Sequence, residues 1–429
     1  MTNYGNTSGF LSIVGLFSLV IYLSLFSGLA GFLINKVIDL KYNVFLFIPS
    51  IWVVKDFIVE KLFGGFPWEF IGYSQINNYY FSQVAEIGGI YLLSFLVILI
   101  GVYLSMIIFT RNKKLIYHLI IVLVIIYLTG FVFEKNSKRI YSSKESHRAG
   151  IIQPNWYYNS NSEYIPIREK LKRLFDMSSE LKNKGAEFVI WPEYTVSLYP
   201  NRNKYYLNKF KEFTKRELPI FAGYIRLETR NEFYNTIFLF IGDNVQTYDK
   251  TRLTPFGEYV PFRKLLFFVK KITRGIHDFS AGKEIKNLKL NGYKISTPIC
   301  YEIIYPEIVR DFIKSGGNLI ITISNDSWFG KTSAPYQHLS MARMRAIETR
   351  RYILRSTSTG ISALIDPFGK LLYTSPLYKP DKFVADFKFS DYKTFYVNFG
   401  YLFPYFLSFL LLFFLIKYYM GKFRGKNET

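Results

Sequence analysis

The stretch FLSIVGLFSLVIYLSLFSGLAGFLI, residues 10–34, decides the class of fold to which this chain belongs. It contains no charged residue, and it is longer than the roughly 20 apolar residues that a helix needs to cross a bilayer. Apolar stretches recur at residues 87–109, 115–133 and 399–416, and a shorter one at 44–59 is interrupted by Lys55 and Asp56. The first stretch lacks the basic start and cleavage site of a signal peptide. The sequence therefore predicts an integral membrane protein.

Charge placement predicts how the chain crosses the membrane. The chain has 429 residues, of which 50% are hydrophobic, and a formal net charge of +22. Basic clusters occur at Lys36 and Lys41, at residues 111–114, and after residue 416. If all three clusters are cytoplasmic, as the positive-inside rule favours, residues 44–59 must also span the membrane. We find no nucleic-acid-binding module, so we attribute the basic surplus to loops, tail and domain surface.

This pattern divides the chain into three predicted domains. Residues 1–135 form a transmembrane region of about four spans. Residues 136–397 form an extracytoplasmic catalytic domain, and residues 398–429 form a last transmembrane helix with a basic cytoplasmic tail. The N-terminus is expected outside and the C-terminus inside.

The segment between the fourth and fifth predicted spans alternates short β-branched runs with amphipathic stretches, which is typical of an α/β layered domain. Strands are predicted at residues 149–155, 187–191, 219–227, 235–243, 245–250, 293–300, 318–325, 353–358 and 362–367. Helices are predicted at residues 167–184, 204–217, 302–314 and 336–351. The fold class is thus a membrane α-helical bundle plus an exterior α/β domain.

Three polar residues stand where predicted strands end: Glu193, Lys250 and Cys300, the only cysteine. Sites in open α/β sheets form at the carboxyl ends of strands. A carboxylate can take the thiol proton, and an ammonium can lower the thiol pKa and stabilise an oxyanion. Taken singly, however, each has an ordinary alternative: a loop carboxylate, a solvated surface lysine and a buried thiol acting as a small hydrophobe.

Several sequence blocks together resemble a known family. They are GGFPWEFIGYSQ (64–75), WPEY (191–194), YDKTRLTPFGEYVPF (248–262), ICYEIIYPE (299–307), NDSWFG (325–330), QHLSMARMRAIE (337–348) and RSTSTG (355–360). In this order they resemble the nitrilase superfamily with its Glu-Lys-Cys triad, and more narrowly its membrane-embedded branch, the apolipoprotein N-acyltransferases. That branch usually has about eight spans, and this chain is expected to begin at what would be the third.

The resemblance implies roles for individual residues. It makes Glu193 the general base, Lys250 the oxyanion stabiliser and Cys300 the nucleophile. Four supporting residues match further positions of the family: Glu258, which is expected to hold Lys250 or assist proton transfer, Glu302, which acts from behind the reacting groups, and Tyr301 and Trp328, which are aromatic residues at the pocket. The implied exterior domain is a nitrilase-like αββα sandwich.

The resemblance also implies the reaction. An acyl chain would pass from a membrane phospholipid, expected to be phosphatidylethanolamine, through a Cys300 thioester to the α-amino group of a diacylglyceryl-apolipoprotein. The expected location is the bacterial cytoplasmic (inner) membrane, with the catalytic domain on the periplasmic side. Residues 66–73 and 262–268 are aromatic-rich and match interfacial contacts, although packing of the domain onto the spans explains them equally well.

Two other functions remain open on the sequence. A membrane-tethered nitrilase-like amidase would use water as the final acceptor, and a non-catalytic transporter or scaffold would have kept only the fold. The presence of Glu193, Lys250 and Cys300 argues against the second. The four histidines are scattered without ligand spacing, so we predict no metal and no cofactor.

Overall fold

The computed structural model describes residues 9–68, 70–156, 165–229, 232–261 and 278–424. The chain separates into two compact units. One comprises Ser137–Lys393, and the other comprises Phe10–Asn136 with the chain from Thr394 onward. The predicted interfacial segment 262–268 lies outside the described residues, so that interpretation stays a prediction.

The described part of the chain begins with helices, and its first strand starts at His147. The helices are α1 (Gly9–Asp39), α2 (Val44–Lys61), α3 (Tyr79–Gln83), α4 (Ala85–Thr110), α5 (Lys114–Ser142), α6 (Ile167–Asn183), α7 (Lys204–Arg216), α8 (Pro306–Lys314), α9 (Ala334–Thr349), α10 (Phe395–Phe399) and α11 (Leu402–Arg424). The strands are β1 (His147–Gln153), β2 (Phe188–Ile190), β3 (Ile220–Thr229), β4 (Glu232–Ile241), β5 (Asn244–Asp249), β6 (Leu288–Leu290), β7 (Tyr293–Ser296), β8 (Leu319–Ser324), β9 (Ile353–Thr357), β10 (Ala363–Ile365), β11 (Leu371–Thr374) and β12 (Asp381–Phe387). Short 3₁₀ helices occupy Leu62–Gly64, Ile71–Gln75, Cys300–Ile304 and Asp326–Phe329.

Apolar helices make the chain a membrane protein. Within the described residues, the segments long and apolar enough to cross a bilayer are Ile13–Asp39, Ala85–Thr110 and Lys114–Ser142. Their outward-facing side chains are apolar, as in Phe109, which is 85% exposed, and Leu25, which is 68% exposed. Helix α2 carries charged residues in its second half and α11 contains only a shorter apolar segment, Leu402–Tyr418. The predicted number of spans and their orientation therefore stay predictions.

A buried carboxylate joins three elements of the apolar unit. Glu60 near the end of α2 accepts a hydrogen bond from the Tyr401 hydroxyl at 2.9 Å and another from the Tyr91 hydroxyl of α4. The Lys61 ammonium lies 3.3 Å from the same carboxylate. A buried charge is tolerated only when it is paired and hydrogen-bonded, so these contacts explain how Glu60 remains inside the unit.

Two six-stranded sheets form the centre of the other unit. The first sheet has the order β12-β1-β2-β3-β4-β5, with β1, β2 and β3 parallel. The second sheet has the order β11-β10-β9-β8-β7-β6, with β7, β8 and β9 parallel. Strands β8 and β9 are buried along their whole length. Continuous apolar runs of this kind are typical of parallel strands covered on both faces.

Helices cover the outer faces of the sheets, and the sheets pack on each other. Helices α6 and α7 lie against the first sheet through a core that includes Leu174, Trp191 and Phe210. Helices α8 and α9 pack against elements of the second sheet. Between the sheets, the Ser356 hydroxyl of β9 donates to the Ile152 carbonyl of β1 at 2.8 Å. The predicted αββα sandwich is confirmed.

Two predicted element boundaries were wrong at the position that matters most. The strand predicted over residues 293–300 ends at Ser296, because Pro298 has no N–H for the ladder and Cys300 has a φ of 50°. The helix predicted from residue 302 begins instead at Pro306, after the 3₁₀ turn Cys300–Ile304. Cys300 therefore lies on a sharp turn rather than at the end of a strand.

Candidate active site

The Cys300 turn exposes the thiol by placing its backbone in the left-handed region, with φ of 50°. A non-glycine residue rarely adopts this conformation and needs neighbours that hold it there. The Glu302 N–H donates to the Ile299 carbonyl at 3.0 Å, and the Ile299 N–H donates to the Glu302 carboxylate at 2.8 Å. The Cys300 carbonyl lies 3.2 Å from the His338 Nε2 atom. The turn is thus fixed on both sides of the thiol.

Glu193 follows β2 and is only 3% exposed. Its Oε1 atom accepts from the Asn235 side-chain amide at 2.7 Å, and its Oε2 atom accepts from the Asn325 N–H at 2.8 Å. Burial and the nearby Glu258 charge raise the pKa of Glu193 above its ordinary value, while Lys250 and a hydrogen bond with the Cys300 side chain act in the opposite direction. A raised pKa makes Glu193 a stronger base toward the thiol next to it.

Lys250 directly follows β5 and is 1% exposed. Its ammonium lies 2.8 Å from the Glu258 Oε2 atom. Burial alone would lower the pKa of Lys250, but the charges of Glu258, Cys300 and Glu193 raise it well above the ordinary value. Lys250 is therefore a permanent cation beside the thiol, which is the property that an oxyanion-stabilising group needs.

Glu258 remains charged although it is buried. Burial would raise its pKa, yet Lys250, the Thr254 N–H and the Asn235 amide together hold it below the ordinary value. The Thr254 N–H donates to Glu258 Oε2 at 2.7 Å, and the Asn235 amide donates to Oε1 at 2.6 Å. Glu258 thus holds Lys250 in place, which is one of the two roles expected from the sequence.

Cys300 rests as a thiol. Burial and the negative charge of Glu193 raise the pKa of Cys300, and the opposing effect of Lys250 is smaller. Because the thiolate is the nucleophile, the thiol must lose its proton to a base during the reaction. The adjacent Glu193 carboxylate is such a base.

Glu302 links the turn of Cys300 to the segment after β5. It is completely buried, and its Oε1 atom accepts hydrogen bonds from the Tyr248 hydroxyl at 2.8 Å, the Thr251 N–H at 2.7 Å and the Arg252 N–H at 3.1 Å. Its other oxygen accepts from the Ile299 N–H. Glu302 therefore positions Lys250 and Cys300 relative to each other without reaching the thiol itself.

The two predicted aromatic residues differ in their placement. Tyr301 is 7% exposed, and its ring packs edge-on against Tyr305 at a centroid distance of 5.4 Å. Trp328, in the 3₁₀ turn Asp326–Phe329, is 46% exposed. The structure therefore groups Glu193, Lys250, Cys300, Glu258 and Glu302 closely, with Tyr301 buried in the same turn and Trp328 at the surface. Their catalytic roles stay predictions.

Sequence reasoning missed five polar residues around these groups, namely Asn235, Ser324, Asp326, His338 and Arg355. Asn235 bridges the two carboxylates through a single amide nitrogen. The other four form a buried network under Cys300. The blocks NDSWFG and QHLSMARMRAIE contain Asp326 and His338, so the motifs pointed to the right segments but not to these contacts.

Close packing between the sheets sets the position of Glu193. A Cβ atom added to Gly223 of β3 would lie 2.6 Å from the Ile323 Cδ1 atom and 2.7 Å from the Glu193 Cα atom. Only glycine allows this approach. Within the described residues, no group of three or more metal-ligating side chains occurs.

Comparison with known proteins gives the family. Residues 148–395 match the model described as carbon-nitrogen hydrolase, and residues 1–103 match the apolipoprotein N-acyltransferase N-terminal domain. The apolipoprotein N-acyltransferase of Geobacter metallireducens is 31% identical over 94% of this chain and 80% of its own length. That of Wigglesworthia glossinidia brevipalpis is 32% identical over 91% of this chain and 79% of its own length.

Among solved structures, an amidase from Nesterenkonia sp. aligns with 56% of this chain and 90% of its own, at 18% identity and a TM-score of 0.44. A likeness of that size is too weak to define a family. The family models and the relatives above 30% identity do define it: the chain belongs to the apolipoprotein N-acyltransferases, acyltransferases within the carbon-nitrogen hydrolase superfamily.

Proposed function

We propose that this protein transfers an acyl chain from a membrane phospholipid to the α-amino group of the N-terminal diacylglyceryl-cysteine of apolipoproteins, through a thioester on Cys300. The proposal rests on one observation above all. A thiol, a base and a cation converge at one buried point, in a chain whose curated relatives are named apolipoprotein N-acyltransferase.

In the first half-reaction, Glu193 takes the proton from the Cys300 sulfur while the sulfur forms a bond to the ester carbonyl carbon. The negative charge that develops on the carbonyl oxygen is stabilised by the Lys250 ammonium and by backbone N–H groups of the turn, beginning with that of Tyr301. The ester C–O bond then breaks, and Glu193 returns the proton to the departing oxygen. A lysophospholipid leaves, and the acyl chain remains on Cys300 as a thioester.

In the second half-reaction, the neutral α-amino group of the acceptor attacks the thioester carbonyl carbon. Glu193 accepts a proton from the attacking nitrogen, and Lys250 again stabilises the oxyanion. The C–S bond breaks, the sulfur takes the proton from Glu193, and an amide is left on the acceptor. The enzyme returns to its starting state, so the scheme is ping-pong.

The opposite pKa directions of the two carboxylates support this division of work. The pKa of Glu193 is raised and that of Glu258 is lowered, which separates a group that exchanges protons from one that stays charged. A cation held by a permanent anion does not compete with Glu193 for the thiol proton. Glu258 therefore serves Lys250, and Glu193 serves Cys300.

The apolar helices give the substrates a physical reason. Both the donor and the acceptor carry acyl chains that reside in a bilayer, and a membrane-tethered enzyme meets them at high effective concentration. We propose phosphatidylethanolamine as the donor, the bacterial inner membrane as the location, and the periplasmic side as that of the catalytic unit.

The proposal is tested by incubating the detergent-purified protein with phosphatidylethanolamine and no acceptor, and then measuring its intact mass. We expect an increase of one acyl chain that hydroxylamine removes and that Cys300→Ala does not show. Adding a diacylglyceryl peptide should then release the acyl chain as an amide. Turnover in Cys300→Ala, or release of free fatty acid instead of the amide, would contradict the proposal. The second result would favour a tethered hydrolase.

A further inference from the structure

The Ser324 hydroxyl lies between the candidate nucleophile and a buried carboxylate. Its oxygen is 3.2 Å from the Cys300 sulfur and 2.5 Å from the Asp326 Oδ1 atom. A hydroxyl has a single proton, so it can donate to only one of these two neighbours at a time. Which neighbour receives the proton determines what Ser324 presents to the sulfur.

Asp326 is the stronger acceptor because it carries a full charge. It is 1% exposed, and its Oδ2 atom accepts from the Arg355 guanidinium at 2.7 Å. Burial alone would raise the pKa of Asp326, but Arg355, His338 and Ser324 hold it well below the ordinary value. Hydrogen bonds to a carboxylate are shorter and stronger than those to a neutral group. The Ser324 proton therefore points to Asp326.

His338 closes this network without adding charge. Burial and the Arg355 charge lower the pKa of His338, so the ring is neutral. The Arg355 Nη2 atom lies 3.0 Å from its Nδ1 atom, which leaves the Nε2 proton for the Cys300 carbonyl at 3.2 Å. The Asp326–Arg355 pair is thus balanced, and the ring braces the backbone of the nucleophile.

With its proton on Asp326, the Ser324 oxygen turns only lone pairs toward the sulfur. That arrangement favours an S–H group and disfavours a thiolate. The other ionisable or charged groups near the sulfur are Glu193, Lys250 and the Tyr194 phenol. Of these, Lys250 favours the thiolate and Glu193 opposes it until it has taken the proton.

We propose that Ser324 and Asp326 form a positioning pair that keeps Cys300 in its thiol form until Glu193 takes the proton. Asp326 orients the Ser324 hydroxyl, and the Ser324 oxygen is available to accept the S–H. The inference rests on the proposed function only in naming Cys300 as the nucleophile. Ionisation of the thiol can be measured without any lipid substrate, so failure of one proposal can be told apart from failure of the other.

The test is the rate at which iodoacetamide alkylates the full-length protein in detergent, measured from neutral to alkaline pH. Because the chain has a single cysteine, every adduct reports on Cys300. Ser324→Ala should make alkylation faster at a fixed pH, by about 3- to 10-fold, since a group that stabilises the thiol is lost. If Ser324 instead donates to the thiolate, the same variant will alkylate more slowly. An unchanged rate would also overturn the proposal.

A matched control and a second observable separate ionisation from access and folding. Ser296→Ala removes another buried hydroxyl, which bonds Asn287 in the same sheet, and should leave the rate unchanged. The infrared S–H stretch of the single thiol should be present at neutral pH in the wild-type protein. It should disappear at a lower pH in Ser324→Ala than in the wild type. Loss of the band at the same or a higher pH would contradict the proposal even if alkylation were faster.

The Asp326 half of the pair predicts a reversal of sign. In an Asp326→Asn background the Ser324 proton is released from the carboxylate and can reach the sulfur. Ser324→Ala should then slow alkylation rather than accelerate it. Acceleration in both backgrounds would show that Asp326 does not orient the hydroxyl, and the Ser324→Ala result in the wild-type background stands independently if the Asp326→Asn protein fails to fold.

Discussion

The two sheets bring different chemistry to the candidate site. The first sheet and its loops contribute Glu193, Asn235, Lys250 and Glu258, in which two carboxylates and one ammonium share a single amide. The second sheet and its turns contribute the neutral Cys300 thiol above the balanced Asp326–Arg355 pair.

This difference separates two tasks that compete when they fall on the same group. The first sheet carries the groups whose charge must respond to the reaction, since protons move on and off Glu193 beside a fixed cation. The second sheet carries charges that are fully compensated and hold the nucleophile in position. Substitutions in the first sheet should therefore change the chemistry, whereas those in the second should change how the thiol is held.

Glu193→Gln should cause the largest loss on the side of the first sheet. The amide keeps the size of the side chain but cannot take the thiol proton, so thioester formation should slow by up to about 10⁴-fold. Intact-mass measurement of the acyl-enzyme over time gives the rate. Glu187→Gln, which changes an exposed glutamate beside His147, serves as the control and should react normally. A Glu193→Gln rate within tenfold of the control would remove Glu193 from the role of base.

Lys250→Met should have the next largest effect. It removes the cation that lies 2.8 Å from Glu258 and is expected to face the oxyanion. Both half-reactions should slow by about 10² to 10³-fold. Lys294→Met, at an exposed lysine that bonds the Ser315 carbonyl, is the matched control. Equal slowing of thioester formation and of amine transfer is the signature we expect; slowing of only one step would mean that Lys250 serves a substrate rather than the oxyanion.

Asn235→Ala should have an intermediate effect on rate and a measurable effect on stability. Both Glu193 and Glu258 lose a buried hydrogen-bond donor, which costs about 1–3 kcal/mol of unfolding free energy. We expect a rate loss of about tenfold because both carboxylates remain present. Denaturant unfolding of the detergent-solubilised protein, beside Asn287→Ala as control, measures the first effect. No change in either quantity would show that the shared amide is dispensable.

Glu258→Gln should shift the pH dependence of the reaction more than its maximum. Glu193 must be ionised to act, so the rate should rise with pH through the raised pKa of Glu193. The Glu258 charge contributes to that elevation. Removing it should lower the pKa of Glu193 and move the acid limb to lower pH, by up to about one pH unit. A limb that moves to higher pH, or stays in place, would contradict the coupling of the two carboxylates.

Much of the first sheet's contribution could be predicted from the sequence. Apolar runs end just before Glu193 and Lys250, and the strand rule places both at one edge of a sheet. The position of Cys300 was less accessible, because the run before it continues to Ile299 while the strand stops at Ser296. Proline and a left-handed residue interrupt the pairing there, and apolar pattern alone does not register either.

The network behind the nucleophile could not be predicted, for a physical reason. Arg355 and Asp326 are fully buried charges that meet only because β9 and the turn after β8 are neighbours. Nothing in the local pattern distinguishes such a pair from surface residues. Three strands were also missed. Strand β11 is mostly exposed, β6 has only three residues, and β12 reads as a weakly alternating segment.

The close contact of Gly223 with Ile323 and Glu193 has a consequence for biogenesis. The base and the thiol are carried by different sheets, and the Asn325 N–H that fixes Glu193 comes from the second one. Neither half is competent alone, so a chain emerging during synthesis has no reactive centre until the sheets dock. Catalysis would then appear only at the end of folding, and acyl-enzyme formation can serve as an assay for completed assembly of the domain.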